Sequence, residues 1–305
     1  MRTNVNFISG GLELAAHVYL PEQQYDAPRP AIVVGHPGTG VKEQAAGLYA
    51  QRLAEQGFVT LAYDAAYQGE SEGLPRGLED PAQRVEDLKA AVSYLTTRAD
   101  VDAERIGVLG ICASGGYGLV ATATDPRIKA LATVSAADIA RQFRVGADGT
   151  QDPAVFEGLL AAAAAARTAE ARGDDVQTFK LFPETEEAAR AGGQHVYEGW
   201  EYYCTPRGRH ERSTKILPWV SVDHIATFDA FHAVHLIAPR PLLMMAGRNA
   251  VTAWMSVEAF QKARGPKQFS WIENATHVDL YDRDEYVTPA VAELTTFFDG
   301  ALRAA

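Results

Sequence analysis

The chain has 305 residues, a formal net charge of −11, an apolar content of 47 % and two cysteines, Cys112 and Cys204. The negative charge argues against nucleic acid and anionic membrane as partners, and two cysteines cannot build a disulfide framework. No Cys/His group has zinc spacing, no stretch reaches transmembrane length, and Met1-Arg-Thr-Asn-Val-Asn-Phe7 has no apolar signal region, so a metal-free, cytoplasmic globular protein is expected. At this length the simplest expectation is one α/β domain with an insertion.

Residues 3–20 read as a hairpin, with Val5, Phe7, Leu12, Leu14, His17 and Tyr19 alternating about a Gly10-Gly11 turn. Ala31–Val34 is a buried strand that ends in a glycine-rich loop, Gly35-His-Pro-Gly-Thr-Gly40. A helix from Gln44 to Gln56 stops at Gly57, Phe58–Tyr63 is the next strand, and a polar loop covers Asp64–Glu79. Asp80-Pro81 sets an N-cap before a first-turn proline, and Val85, Leu88, Val92 and Leu95 share one face of the helix it opens. Asp102–Gly110 and Ile128–Val134 are strands, the second running into Ser135-Ala-Ala-Asp138. Regular alternation then stops. Residues 139–235 hold an Ala-rich helix near 153–172, a Gly192-Gly193 break, an aromatic cluster (Tyr197, Trp200, Tyr202, Tyr203) and a basic loop, Arg207-Gly-Arg-His-Glu-Arg212. Alternation resumes with a strand at Pro241–Ala246, a helix near 253–264, a strand at Gln268–Ile272 and a C-terminal helix near 285–303. The pattern predicts an α/β fold: a mostly parallel central sheet flanked by helices, built from 1–138 and 236–305, with 139–235 as a helical insertion.

The chemistry concentrates in Arg105-Ile-Gly-Val-Leu-Gly-Ile-Cys-Ala-Ser-Gly-Gly-Tyr117, a β-branched run that turns through small residues into a helix. Such a turn is so tight that the residues flanking its nucleophile must be small, and the nucleophile projects alone above the sheet. Two registers satisfy the pattern, one with Cys112 at the apex and one with Ser114. Counting from the strand favours Cys112, because Leu109-Gly110 closes the strand and Gly115-Gly116 opens the helix; Ser114 stays as the alternative nucleophile. A free cysteine is ordinarily just a small buried hydrophobe, but this one lies between two small-residue clusters at a strand end. His277, in Asn274-Ala-Thr-His-Val-Asp-Leu-Tyr281, follows the last predicted strand and is the expected general base, paired with Cys112 as thiolate and imidazolium. An oxyanion hole needs two backbone N–H groups. Ala113 should supply one and Gly38 the other, since Pro37 has none to give and Thr39 stands behind. The glycine-rich loop lacks both the ending of a P-loop and the spacing of a dinucleotide fingerprint.

Gly110-Ile-Cys-Ala-Ser-Gly-Gly116, His36-Pro-Gly38, Asp64-Ala-Ala-Tyr-Gln-Gly-Glu-Ser71 and Ala275-Thr-His-Val-Asp-Leu-Tyr281 together resemble the α/β-hydrolase superfamily over nearly the whole chain. Within it they are similar to the dienelactone-hydrolase-like members with a cysteine at the elbow, and to a related bacterial and fungal group linked to polyketide pathways. The resemblance implies hydrolysis or transfer at an ester, lactone or thioester carbonyl of a small-molecule acyl substrate, without cofactor, and makes 139–235 a cap whose aromatics form either its own core or a pocket wall. The departure is the acid. Gly247-Arg-Asn-Ala-Val251 has Ala250 where the family places an aspartate. Asp138, after an earlier sheet strand, is the favoured replacement, and Asn249 is the alternative orienting residue, as a neutral amide. Asp279 reads as a local turn residue, Asp223 and Asp229 as belonging to the cap exit, Asp64 as ordering its loop, and the Arg207–Arg212 loop as a solvated turn. Three functions stay open: a Cys-His hydrolase, an acyltransferase or cyclase using the same acyl-enzyme, and a non-catalytic ligand binder. A homodimer is left open as well.

Overall fold

Ala31, Ile32, Val33 and Val34 are all fully buried, which is why that strand shows no alternation of apolar and polar residues. They lie mid-sheet in the computed structural model, which describes residues 1–22 and 27–303. In chain order the elements before the insertion are β1 (Arg2–Ser9), β2 (Leu12–Tyr19), β3 (Arg29–Gly35), α1 (Ala45–Glu55), β4 (Val59–Tyr63), α2 (Pro81–Thr96), β5 (Val101–Ile111), α3 (Ala113–Thr124) and β6 (Ile128–Val134). The insertion holds α4 (Ile139–Val145), α5 (Pro153–Ala171), β7 (Thr178–Lys180), α6 (Glu186–Ala191), α7 (Gln194–Cys204), β8 (Ile216–Pro218) and α8 (Ser221–Ala226). Then come β9 (Leu242–Gly247), α9 (Ala253–Lys262), β10 (Lys267–Ile272), α10 (Asp279–Asp282) and α11 (Asp284–Ala301).

Eight strands form one sheet in the order β1-β2-β4-β3-β5-β6-β9-β10. The β1–β2 and β2–β4 pairs are antiparallel and the rest are parallel. Its two faces carry separate apolar clusters: one takes Leu88, Tyr117 and Met255 from α2, α3 and α9, the other Tyr49, Leu53, Leu294 and Phe298 from α1 and α11. Asp80 caps α2 by accepting from the N–H groups of Ala82 and Gln83, with Pro81 behind it. Register decides where the loops emerge. Gly35 pairs with Gly110 across β3 and β5, so the loops carrying Gly38 and Ala113 leave the sheet side by side. Gly247 pairs with Ile272, which brings the loop after β9 beside the one that holds His277. Both sites lie at the carboxyl ends of parallel strands, where open α/β sheets bind ligands.

The insertion packs α4, α5 and α8 together, while β7 and β8 make a small antiparallel ribbon. Its last stretch returns to the main body, where Phe231 and Val234 are buried in the cluster that contains Tyr117. The basic loop is not the solvated turn its charge suggests. Arg207 bonds to Asp282 at 2.6 Å and to Glu201 at 2.6 Å, and Arg212 pairs with Glu43 at 2.5 Å. Gln44 donates to the Gly208 carbonyl at 2.6 Å, and Lys42, buried beside it, pairs with Asp64 at 2.7 Å. The loop therefore clamps the insertion onto the sheet domain, and Asp64 orders its own loop as expected, also accepting from Lys42 N–H and Glu70 N–H. Among the described residues, no helix is long and apolar enough to cross a membrane. Arg207→Ala takes the cation from Asp282 and leaves Glu201 only the longer contact with Arg283 at 3.8 Å, and should cost about 2 kcal/mol of stability. The check is the urea midpoint, and an unchanged midpoint would show that the clamp carries no weight.

Candidate active site

Cys112 joins β5 to α3 with φ +55° and ψ −118°, a conformation that costs a non-glycine residue about 1–3 kcal/mol. The turn is held on both sides. The Cys112 N–H donates to Val134 O at 3.0 Å, and the Cys112 carbonyl accepts from Gly115 at 2.8 Å and Ala137 at 3.0 Å. It closes only because Gly110 has no side chain: a Cβ there would stand 2.2 Å from the Ser114 carbonyl oxygen. Cys112 is thus at the apex, half-buried. Ser114, the second residue of α3, is 1 % exposed and points down into the sheet, donating to His36 O at 2.6 Å and accepting from Arg84 at 3.1 Å. The alternative register does not bring a hydroxyl to the site.

The backbone N–H groups of Gly38 and Ala113 and the Tyr281 hydroxyl face the Cys112 sulfur. Gly38 is held in place from both sides. Tyr203 of α7 donates to its carbonyl at 3.3 Å, and Gly40 N–H closes the turn onto Pro37 O at 3.1 Å. His36 Nε2 accepts from Ala65 N–H at 3.1 Å, so its proton sits on Nδ1, which lies 2.6 Å from Pro37 O. Burial holds this imidazole well below its usual pKa. Beneath the loop, buried Arg84 donates to the His36 carbonyl at 2.8 Å and faces Glu79 at 3.7 Å, and Glu79 accepts from Tyr117 at 2.6 Å.

His277 is fully buried. Its Nε2 lies 3.0 Å from Tyr281 Oη and its Nδ1 lies 2.5 Å from Thr252 Oγ1. Neither residue proposed to orient it from sequence does so. Asp138 is buried at the N-terminus of α4, where its carboxylate accepts from Ala140, Arg141 and Ala230 N–H at 2.9, 3.1 and 3.0 Å. Those three bonds make it a helix cap and an anchor for the end of the insertion. Asn249 donates to Asn274 O at 3.1 Å and lies on the surface. Asp279 is the local turn residue expected of it, accepting from Thr276 N–H at 3.0 Å.

The electrostatics differ from a thiolate–imidazolium pair. Burial pushes the Cys112 thiol up, against the pull of those donors, and burial pushes His277 well down, with His195 adding to the shift. The resting pair is a thiol and a neutral imidazole. His195, on α7, meets His277 edge to face with ring centres 4.8 Å apart, and burial holds it down to about 4. Glu198, one turn further along α7, accepts from Gln194 at 2.7 Å, and burial pushes its carboxyl up. The sequence reading assigned no role to Thr252, Tyr281 or His195. Tyr281 had a signal, since His277 and Tyr281 are four residues apart at the start of a helical turn and so share a face. Thr252 lies two residues beyond the vacated acid position, and nothing local marks His195. A Thr252→Val variant leaves Nδ1 without its partner, a loss of roughly 1–2 kcal/mol that should slow turnover of an activated aryl ester about tenfold. Asp138→Asn, which keeps an acceptor oxygen at the cap, should leave that rate nearly unchanged. The reverse order of effects would return Asp138 to the site.

The sequence model of the X-Pro dipeptidyl-peptidase (S15) family matches residues 10–279. Uncharacterized protein YcjY of Escherichia coli K12 is 40 % identical over 308 residues, covering 99 % of this chain and 100 % of that one. The crystal structure of hypothetical protein PA2218 from Pseudomonas aeruginosa matches with a TM-score of 0.92 and 34 % identity, covering 99 % of this chain and 94 % of its own. Two more distant relatives have named activities: thiohydrolase aneE of Aspergillus aculeatus, 26 % identical over 91 % of this chain and 87 % of its own, and acyltransferase drtE of Aspergillus calidoustus, 25 % identical over 90 % and 88 %. A dienelactone hydrolase from Anabaena variabilis shares the fold with a TM-score of 0.59 and 14 % identity over 99 % of each chain. The α/β-hydrolase fold is therefore established, while the likeness to dienelactone hydrolase extends to fold alone. S15 peptidases are serine enzymes, whereas the elbow apex here carries a thiol. With a match that spans both the elbow and the histidine loop, the chain belongs to the X-Pro dipeptidyl-peptidase (S15) family.

Proposed function

We propose that this chain is an acyl hydrolase that opens an ester, lactone or thioester through an acyl-enzyme on Cys112, with His277 as the base. The observation that carries the reading is the convergence of Gly38 N–H and Ala113 N–H on a sulfur at the elbow apex. Once that sulfur attacks a carbonyl carbon, the same two donors can turn to the carbonyl oxygen as its charge develops. His277 takes the thiol proton, the sulfur–carbon bond forms, and collapse of the oxyanion breaks the bond to the leaving group, which departs with the proton from His277. Water, activated by the same base, then releases the acid.

The base supports an activated acyl group over a peptide amide. An imidazole oriented by a threonine hydroxyl has no carboxylate to stabilise its charged form, so it suits a thiol nucleophile and a leaving group that needs little proton assistance. The thiohydrolase and acyltransferase names of the two distant relatives are of the same acyl class. Transfer to an alcohol or amine is the second reading, favoured by how fully the cap covers His277, which limits the access of water.

Steady-state kinetics on aryl esters and acyl thioesters provide the test. Cys112→Ala should lower kcat/KM by about a thousandfold or more while the fold survives, and Ser114→Ala should keep most of the turnover. Turnover that persists in Cys112→Ala would remove the thiol from the mechanism, and wild type that binds these compounds without turnover would make the protein a binder. Partition of product in the presence of an added alcohol or amine separates transfer from hydrolysis.

A further inference from the structure

The proposed chemistry needs a proton to pass from the Cys112 sulfur to the His277 imidazole. Among the described residues no direct hydrogen bond joins the two. The Tyr281 hydroxyl faces the sulfur on one side and lies 3.0 Å from His277 Nε2 on the other. Its position is fixed by the backbone and by packing. The Tyr281 N–H closes a turn onto Val278 O at 3.0 Å, and its ring meets Tyr202 edge to face at 5.3 Å and His277 at 5.7 Å. At 3 % exposure, the residue is buried within the site.

We infer that Tyr281 is a catalytic residue, a hydroxyl relay that carries the Cys112 proton to His277. The inference rests on the proposed acyl chemistry. In the attack step the Sγ–H proton moves to Tyr281 Oη as the phenolic proton moves to His277 Nε2, and the sulfur lone pair forms the bond to the carbonyl carbon. Tyr281 ends the step neutral, with one proton received and one given. Burial and the neighbouring sulfur push its own pKa well above the usual value, so it shuttles as a hydroxyl and does not store charge as a phenolate. When the tetrahedral intermediate collapses, the His277 proton goes to the departing oxygen or sulfur. The Thr252 hydroxyl, 2.5 Å from Nδ1, keeps Nε2 turned toward Tyr281 throughout.

The test uses the full chain and Tyr281→Phe, which removes one oxygen and keeps the ring packed on Tyr202. Single-turnover acylation by an activated aryl ester near neutral pH should fall about a hundredfold, the scale of one general acid–base contribution. Iodoacetamide alkylation of Cys112, followed against pH, should keep its high-pH plateau while its midpoint moves upward, because the thiolate has lost a hydroxyl donor. In wild type the acylation rate should curve with the fraction of deuterium oxide, as two protons in flight require. A variant that acylates and alkylates as wild type does overturns the relay, and so does one whose alkylation plateau falls along with its acylation rate. Wild type that never acylates sinks the hydrolase reading instead, and the alkylation midpoint then still decides whether Tyr281 serves the thiol.

Discussion

The strained turn at Cys112 is the constraint on which the rest of the site depends. A residue with φ +55° persists only if its surroundings hold it there, and here the bonds to Val134, Gly115 and Ala137 do so. The same bonds tie the elbow to β6 and to the segment that leads to Asp138. They also fix the direction of Ala113 N–H at the start of α3, while the β3–β5 register brings Gly38 alongside. The Ser114 hydroxyl and Arg84 then grip the His36 carbonyl from below, so the Cys112 turn and the Gly38 and Ala113 N–H groups are parts of one rigid unit.

Burial sets the electrical state of that unit. With no carboxylate on His277, desolvation wins over the hydrogen bonds and the resting site holds a thiol, a phenol and a neutral imidazole. In the proposed reaction, charge separates only when a substrate carbonyl offers the electron pair somewhere to go. The insertion contributes directly to this state, because α7 places Tyr203 on the Gly38 carbonyl and His195 against His277. The Arg207 and Arg212 ion pairs that fasten the neighbouring loop therefore bear on the chemistry as well as on the fold.

The elbow and its glycines were legible in the sequence because backbone geometry dictates residue size there, whatever the rest of the chain does. The alternation of strands and helices was legible for a similar reason, since fully buried parallel strands must be continuously apolar. Side-chain partnerships across the sheet were not. Thr252 reaches His277 only because β9 and β10 pair in the register that aligns Gly247 with Ile272. Asp138 stood at a position that suited a catalytic acid, yet it also directly preceded a helix, and the helix used it as a cap. The basic loop read as solvated because its acidic partners, Glu43, Glu201 and Asp282, lie on other elements.

The most direct measurement is peptide mapping of the protein after brief exposure to an activated aryl ester, with and without neutral hydroxylamine. A thiol nucleophile predicts a single acyl group on the peptide that contains Cys112, released by neutral hydroxylamine as a thioester is. An acyl group on Ser114 that resists neutral hydroxylamine, or a correctly folded chain that acquires none, would contradict it.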